Sequence, residues 1–413
     1  MRQILLTNIK ELVQVRENEE RVVAGSAMAN LPSIKNAWLL LKDDYIEDYG
    51  EMDTCPSGDF KIVDVKGKMI LPTWVDCHTH IVFAASREEE FVMKIKGQTY
   101  EEIASAGGGI LNSARKLREH SEDELYQGAA DRLIKLIKLG TGGIEIKSGY
   151  GLSKESELKM LRVIQRLKAN FDIPIKANLL AAHSIPAAYK ENRQGYIDLI
   201  INEIIPDAVA QNLAEFIDVF CEEGFFSVEE TDQILKAGRK HGLLPKIHAN
   251  QLAISGGVQV GIKNDAISVD HLEQIGKAEI DALKASNTIP VVLPSCSFYL
   301  GIPYAPVRAL INANLPVAMA SDYNPGSTPS GNMNFLVSLA CIKMKMLPEE
   351  AINAATINAA HAMGVQDNLG SITKGKLANF FITSAVPSVH YLAYSFGENC
   401  IQEVWIKGRK YKA

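Results

Sequence analysis

Short apolar, β-branched runs alternate with helical patterns through the middle of the chain. The runs are KMILPTWVDCH (68–78), TGGIEIKS (141–148), IPIKANLLAAH (173–183), EFIDVFCEE (215–223), LLPKIHA (243–249), AISVDH (266–271), TIPVVLPS (288–295) and LPVAMASD (315–322). Near-continuous apolar runs separated by helices are what a parallel sheet buried on both faces requires, and eight of them predict an α/β fold, a (β/α)8 TIM-like barrel. The helices carry their own start and stop marks. Ser227 and Glu230 form a capping box whose helix ends at His241-Gly242, and Pro348 opens a helix expected to run to Met363-Gly364. Between 155 and 168, Leu158, Leu161, Ile164 and Leu167 recur at helical spacing, which predicts a stripe facing the core.

Both ends read differently. Residues 1–68 break into short strand-like pieces (ILLTNI, RVVAG, AWLLLKDD, KIVDVKG), and the chain from 368 does the same (ANFFITS, VHYLAYS, EVWIKGRKYK). The expectation is a small sandwich-like β-domain built from residues 1–68 and 368–413, flanking a barrel at 69–367.

Composition narrows the functional class. The chain has 413 residues, 47% of them hydrophobic, which supports a large buried core. Lys+Arg 43 against Asp+Glu 49 gives a net charge of −6 with no clustered cations, so a nucleic-acid partner is not expected. Apolar runs fall well short of the ~18 residues that span a bilayer, and the first residues lack a secretory signal pattern. No membrane partner is expected, and a cytoplasmic location is. The six cysteines are scattered without a CxxC pair, which excludes a disulfide framework or zinc ribbon. Cys77 is expected to pack away from any site.

The strongest chemical signal is Asp76-Cys77-His78-Thr79-His80. Residues two apart on a strand point to the same side, so His78 and His80 can address one cation. Other predicted strand ends supply His183, His248, His271 and Asp322; five of the nine histidines therefore sit at or just past strand C-termini. That end of a barrel is its active face. Imidazoles with one carboxylate suit a borderline divalent cation such as zinc or ferrous iron, leave a position open for water, and lower that water's pKa toward ~7. The fourth run, EFIDVFCEE, contains no lysine, which argues against a carbamylated-lysine bridge between two metals.

These motifs resemble the amidohydrolase superfamily over almost the whole chain. The closer resemblance, to its branch that opens 4-imidazolone-5-propanoate in histidine degradation, rests on DCHTH (76–80) with Arg87, KSGYGL (147–152), AAHSIP (181–186), KIHANQL (246–252), SVDHLE (268–273) and SDYNPGSTP (321–329). It implies one zinc or iron held by His78, His80, His248 and Asp322, and substrate contacts from Arg87, Tyr150, His183, Gln251, Asn324, Gly326 and Ser327. It also implies a homodimer and hydrolysis of the cyclic amide to N-formimidoyl-L-glutamate. The residue types are compatible with that substrate. Arg87 offers a fork for a propionate, Tyr150 and Ser327 offer donors, and Gln251 and Asn324 can both donate and accept. His271 or Asp322 would carry the proton, and His183 would orient the ring. Two departures stand out: some members have an acid where this chain has Gln251, and the superfamily usually has Asp where this chain has Asn379. An aromatic deaminase is a second reading, disfavoured because it should carry a carboxylate near Gln251. A catalytically dead barrel serving as a scaffold is a third, disfavoured because every expected ligand is present.

Overall fold

A computed structural model describes residues 2–17, 20–98, 102 and 108–412. Each of the eight apolar runs contributes one parallel strand to a barrel. In chain order these are Trp74–Asp76, Thr141–Lys147, Ile175–Ala182, Phe216–Cys221, Leu244–Ala249, Ser268–His271, Ile289–Val292 and Ala318–Met319, each paired with the next. The ring closes just past the first and eighth strands. There Asp322 N donates to His78 O (3.0 Å) and His80 N donates to Tyr323 O (2.9 Å). Asp76 reinforces the seam by accepting from Ser321 N (2.9 Å) and Ser321 Oγ (2.6 Å).

The helices outside the ring follow their sequence signals. Ser227 Oγ accepts from Glu230 N (3.2 Å) while Glu230 Oε2 accepts from Ser227 N (2.9 Å), opening the helix Val228–Lys240. Helix Lys154–Asn170 buries Leu158, Leu161, Ile164 and Leu167, as the spacing predicts. The helix expected from Pro348 to Met363 is instead two, Pro348–Ala355 and Ile357–Ala362, broken at Thr356 (φ −126°, ψ −90°). The Thr356 hydroxyl donates to Ile352 O (2.6 Å), a local bond that competes with helix continuation.

Strands from both termini form a second, mixed sheet: Gln3–Val13, Ser33–Lys42, Tyr45–Glu51, Lys61–Asp64, Met69–Pro72, Phe380–Thr383, Ile401–Ile406 and Arg409–Lys410. Three local expectations are corrected. The run 68–78 is not one strand. Met69–Pro72 pairs within the terminal sheet, and the barrel strand begins after Thr73. The segment RVVAG forms no strand, because Asn358 satisfies both backbone groups of Val23 (2.9 Å each). VHYLAYS holds the short helix His390–Tyr394; Val389, Leu392 and Ala393 recur at helical rather than strand spacing and turn inward. Among the described residues no helix is long and apolar enough to cross a membrane. All six cysteines are free, and Cys77 packs into an apolar cluster with Val75, Val291 and Ala320.

Candidate metal centre and its cavity

The strand C-termini deliver the imidazoles to one point. His78 and His80 follow the first strand, His248 lies in the fifth, His271 ends the sixth, and Asp322 follows the eighth. Asp322 Oδ1 lies 3.6 Å from His78 Nε2 and 3.5 Å from His80 Nε2. Ring centroids of His78 and His248 are 4.5 Å apart, and those of His248 and His271 are 5.4 Å apart. The backbone enters the left-handed region at His271 (φ 90°) and Asp322 (φ 54°), a costly conformation for L residues that turns both side chains at the rim.

Carboxylates from below fix the rings. His78 Nδ1 meets Asp270 Oδ2 at 2.6 Å, and His248 Nδ1 meets Asp218 Oδ1 at 3.0 Å. Each Nδ1 then holds the proton, so the Nε2 lone pairs of His78 and His248 face the cluster. Both Nε2 atoms are buried without a hydrogen-bond partner among the described residues. Two triads, His78 with His80 and Asp322 and His78 with His248 and His271, each bring ligand atoms within 4.8 Å of one another and share His78. Orphaned acceptors there are costly unless a cation joins them, so the donors fit a single divalent ion. Burial, followed by the Lys147 charge for His78 and by His183 for His80, holds both rings well below the usual imidazole pKa, in the neutral form a metal requires.

Beneath the rings lies a group the sequence reading did not single out. Lys147 Nζ pairs with Glu145 Oε1 (2.5 Å) and Asp218 Oδ2 (2.8 Å). Lys246 Nζ pairs with Glu145 Oε2 and donates to Cys77 O (2.9 Å), and Asn178 Nδ2 bridges Glu145 (2.8 Å) and Asp218 (3.0 Å). Asp218 is held well below the usual carboxylate value: burial opposes ionisation, but Lys147 and His248 outweigh it. Both lysines are engaged here and neither reaches the rim, in keeping with a one-ion site. Charged residues inside otherwise apolar strands, Glu145 and Lys147 on one and Lys246 on another, were the signal that could have revealed this network.

A cavity of about 470 Å³ opens above the cluster. It is lined by every expected site residue except His78, which lies fully buried beneath. Gly149 (φ 110°) gives the Tyr150 turn a conformation and a closeness to His183 that a Cβ would forbid, at 2.9 Å from His183 Nδ1. Glu157 holds that turn by accepting from Gly149 N (2.9 Å), Gly151 N (2.7 Å) and Leu152 N (2.8 Å). Glu222 does the same for Gln251 N (2.9 Å), Leu252 N (3.0 Å) and Ala253 N (3.2 Å). Asn324 spends its amide on its own turn, accepting from Gly326 N and Ser327 N (2.8 Å each) and donating to Ser327 Oγ (2.7 Å). His183 stacks on His80 (5.4 Å, 21°), and burial, then His248, lower its pKa to about 3, so it is neutral. At His271 burial opposes protonation, but Glu273, 3.4 Å from Nδ1, raises the pKa. Lys94, Ile110, Phe220, Phe225, Leu252 and Leu300 complete the lining and were not anticipated.

Parallel strands that feed imidazoles and a carboxylate to one cation at their C-terminal rim define a metal-dependent hydrolase of the amidohydrolase type. The amidohydrolase family model matches residues 69–410. An imidazolonepropionase from Christiangramia forsetii is 56% identical over 408 residues, covering 98% of this chain and 99% of that protein. One from Flavobacterium johnsoniae is 56% identical over 407 residues, with the same coverage of 98% and 99%. The chain belongs to the amidohydrolase family, in its imidazolonepropionase branch. Among solved structures, Escherichia coli guanine deaminase aligns with a TM-score of 0.74 at 15% identity, covering 100% of this chain and 99% of that one, a likeness of fold alone.

Proposed function

We propose that the enzyme hydrolyses the ring amide of 4-imidazolone-5-propanoate, giving N-formimidoyl-L-glutamate. The observation that carries this reading is a cavity with orphaned imidazole nitrogens at its base and a guanidinium, Arg87, at its side. Such a cavity receives a small planar ring with an anionic tail. The 56% identity to imidazolonepropionases supports the choice of substrate.

His78, His80, His248 and Asp322 would hold zinc or ferrous iron. When bound, the ion polarises the ring carbonyl and makes water nucleophilic near neutral pH. Arg87 takes the propionate, and Tyr150, whose phenol burial pushes up, stays a neutral donor beside it. His183 gives the ring a neutral face. Gln251, Asn324, Gly326 and Ser327 form the wall against which the ring rests. His271, whose Nδ1 is held by Glu273, uses the remaining nitrogen, Nε2. It accepts the proton that water loses on adding to the carbonyl and returns it to the ring nitrogen as the C–N bond opens. Gln251 cannot carry a proton, so this role falls to His271 or, beside it, Asp322.

The test is to incubate metal-loaded protein with the imidazolone and follow loss of ring absorbance, with and without chelator. Turnover that stops on chelation is expected. No loss of absorbance from protein carrying one metal per chain, or deamination of aminopurines in its place, sinks the reading. His271→Ala should lower kcat by about 10²–10⁴-fold at unchanged metal content.

A further inference from the structure

The helix Glu88–Ile95 brings a second cation to the cavity. Arg87 caps its N-terminus and Lys94 follows seven residues later, two turns along the same face. Both side chains line the cavity, and both end on the same residue of the opposite wall. Lys94 Nζ donates to Gly326 O at 3.3 Å, and Arg87 Nη1 lies 2.5 Å from where a Cβ on Gly326 would sit. That wall is rigid, because Asn324 fixes the backbone N–H groups of Gly326 and Ser327. The cations are therefore held close together by a turn that itself carries no charge.

The Glu90 carboxylate acts on both cations. It stands 4.0 Å from Arg87 Nη1 and spends one oxygen on Gly109 N (2.9 Å). Arg87 and Lys94 thus bring two cations to one side of the cavity, facing the turn at Gly326. Arg87 is further oriented by its Nε donation to Ser113 Oγ (2.9 Å) and lies 5.9 Å from the Tyr150 ring centre. Partial burial lowers the Lys94 pKa, so an anion arriving beside its ammonium recovers solvation that the site has removed.

We infer that Lys94 is a specificity-determining residue, which with Arg87 clamps the carboxylate of the substrate's side chain and sets the preference for an acidic over a neutral tail. This rests on the ring-amide reading above. The fork of Arg87 sets direction, and the ammonium of Lys94 adds a point charge on a flexible stem at the cavity rim.

The test crosses enzyme and substrate variants. Metal-loaded native enzyme, Lys94→Met and Lys94→Arg are assayed with imidazolone propionate and with its side-chain carboxamide. Lys94→Met should raise KM for the acid about tenfold or more with kcat little changed, the size of one charge-assisted contact. KM for the carboxamide should stay put, and Lys94→Arg should retain most of the acid preference. An unchanged KM for the acid overturns the assignment. So does an equal rise for acid and amide, which would leave Lys94 only bracing the Gly326 turn. If the native enzyme opens neither ring, the ring-amide reading falls and takes the clamp with it; native turnover with an insensitive Lys94→Met overturns the clamp alone.

Discussion

Inside the barrel, under the imidazoles, Glu145, Lys147, Asp218, Lys246 and Asp270 are all fully removed from water. The interior of the terminal sheet is just as dry but is filled by Leu6, Ile9, Leu12, Phe380 and Trp405. Equal burial with opposite chemistry separates two tasks. The terminal sheet needs only to remove apolar area from water, and side chains of about the right shape do that. The barrel floor has to aim rings. A buried ion network is a poor source of stability, yet its carboxylates choose which nitrogen of His78 and of His248 carries the proton.

That contrast can be broken by experiment. Stripping the ion with a chelator should abolish turnover, and adding zinc or ferrous iron should restore it; activity that survives with no metal per chain would refute the centre. Lys147→Met comes next. It leaves Glu145 and Asp218 short of a countercharge and should cost about 3–5 kcal/mol in denaturant unfolding, together with loss of metal. Phe380→Ala, which removes the ring stacked 5.5 Å from Trp405 in the terminal sheet, should cost a similar ~3–5 kcal/mol. Its metal content and kcat should be unaffected. If both variants lose metal equally, the division of labour is wrong.

Smaller effects sharpen the same point. Asp270→Asn keeps the shape but weakens the hold on His78 Nδ1, and should lower metal affinity by about 10–100-fold. The smallest effect is expected on the surface of the terminal sheet, where Asp48 Oδ1 meets Lys374 Nζ at 2.6 Å. Burial there would raise the Asp48 pKa, but Lys374 and the Tyr49 N–H bring it below 3.8. A depressed carboxylate contributes stability above its ordinary value and loses it as pH falls through the lower folded-state value. Both groups are well exposed, so Asp48→Asn should cost no more than about 1 kcal/mol near neutral pH, less in high salt, and nothing once Asp48 is protonated.

The barrel and its rim were legible because both leave periodic or positional marks. Apolar runs announce strands, and a histidine or aspartate ending such a run announces the active face. His78, His80, His248, His271 and Asp322 all stood out that way. Asp218 and Asp270 did not, since each lies inside a run that its apolar residues mark as a strand. Thr73 hid the division between two sheets because both halves of 68–78 are equally hydrophobic. Thr356 hid a helix break for a different reason: its hydroxyl competes with the backbone only once Ile352 O is in reach. Lys94 leaves no such mark, because it is one of several charges on a short helix whose inward face carries no apolar stripe to point it out.

The closing seam has a consequence for how the apoprotein behaves. Backbone atoms of His78, His80 and Asp322, all on the ion's side of the molecule, are the ones that join the last strand to the first. An ion held by residues on both edges would work as a rivet through the joint, so affinity for it would add directly to resistance against unfolding. Emptied of its rivet, the hoop should exchange amide hydrogens fastest at Asp322 and His80, well before its other staves loosen.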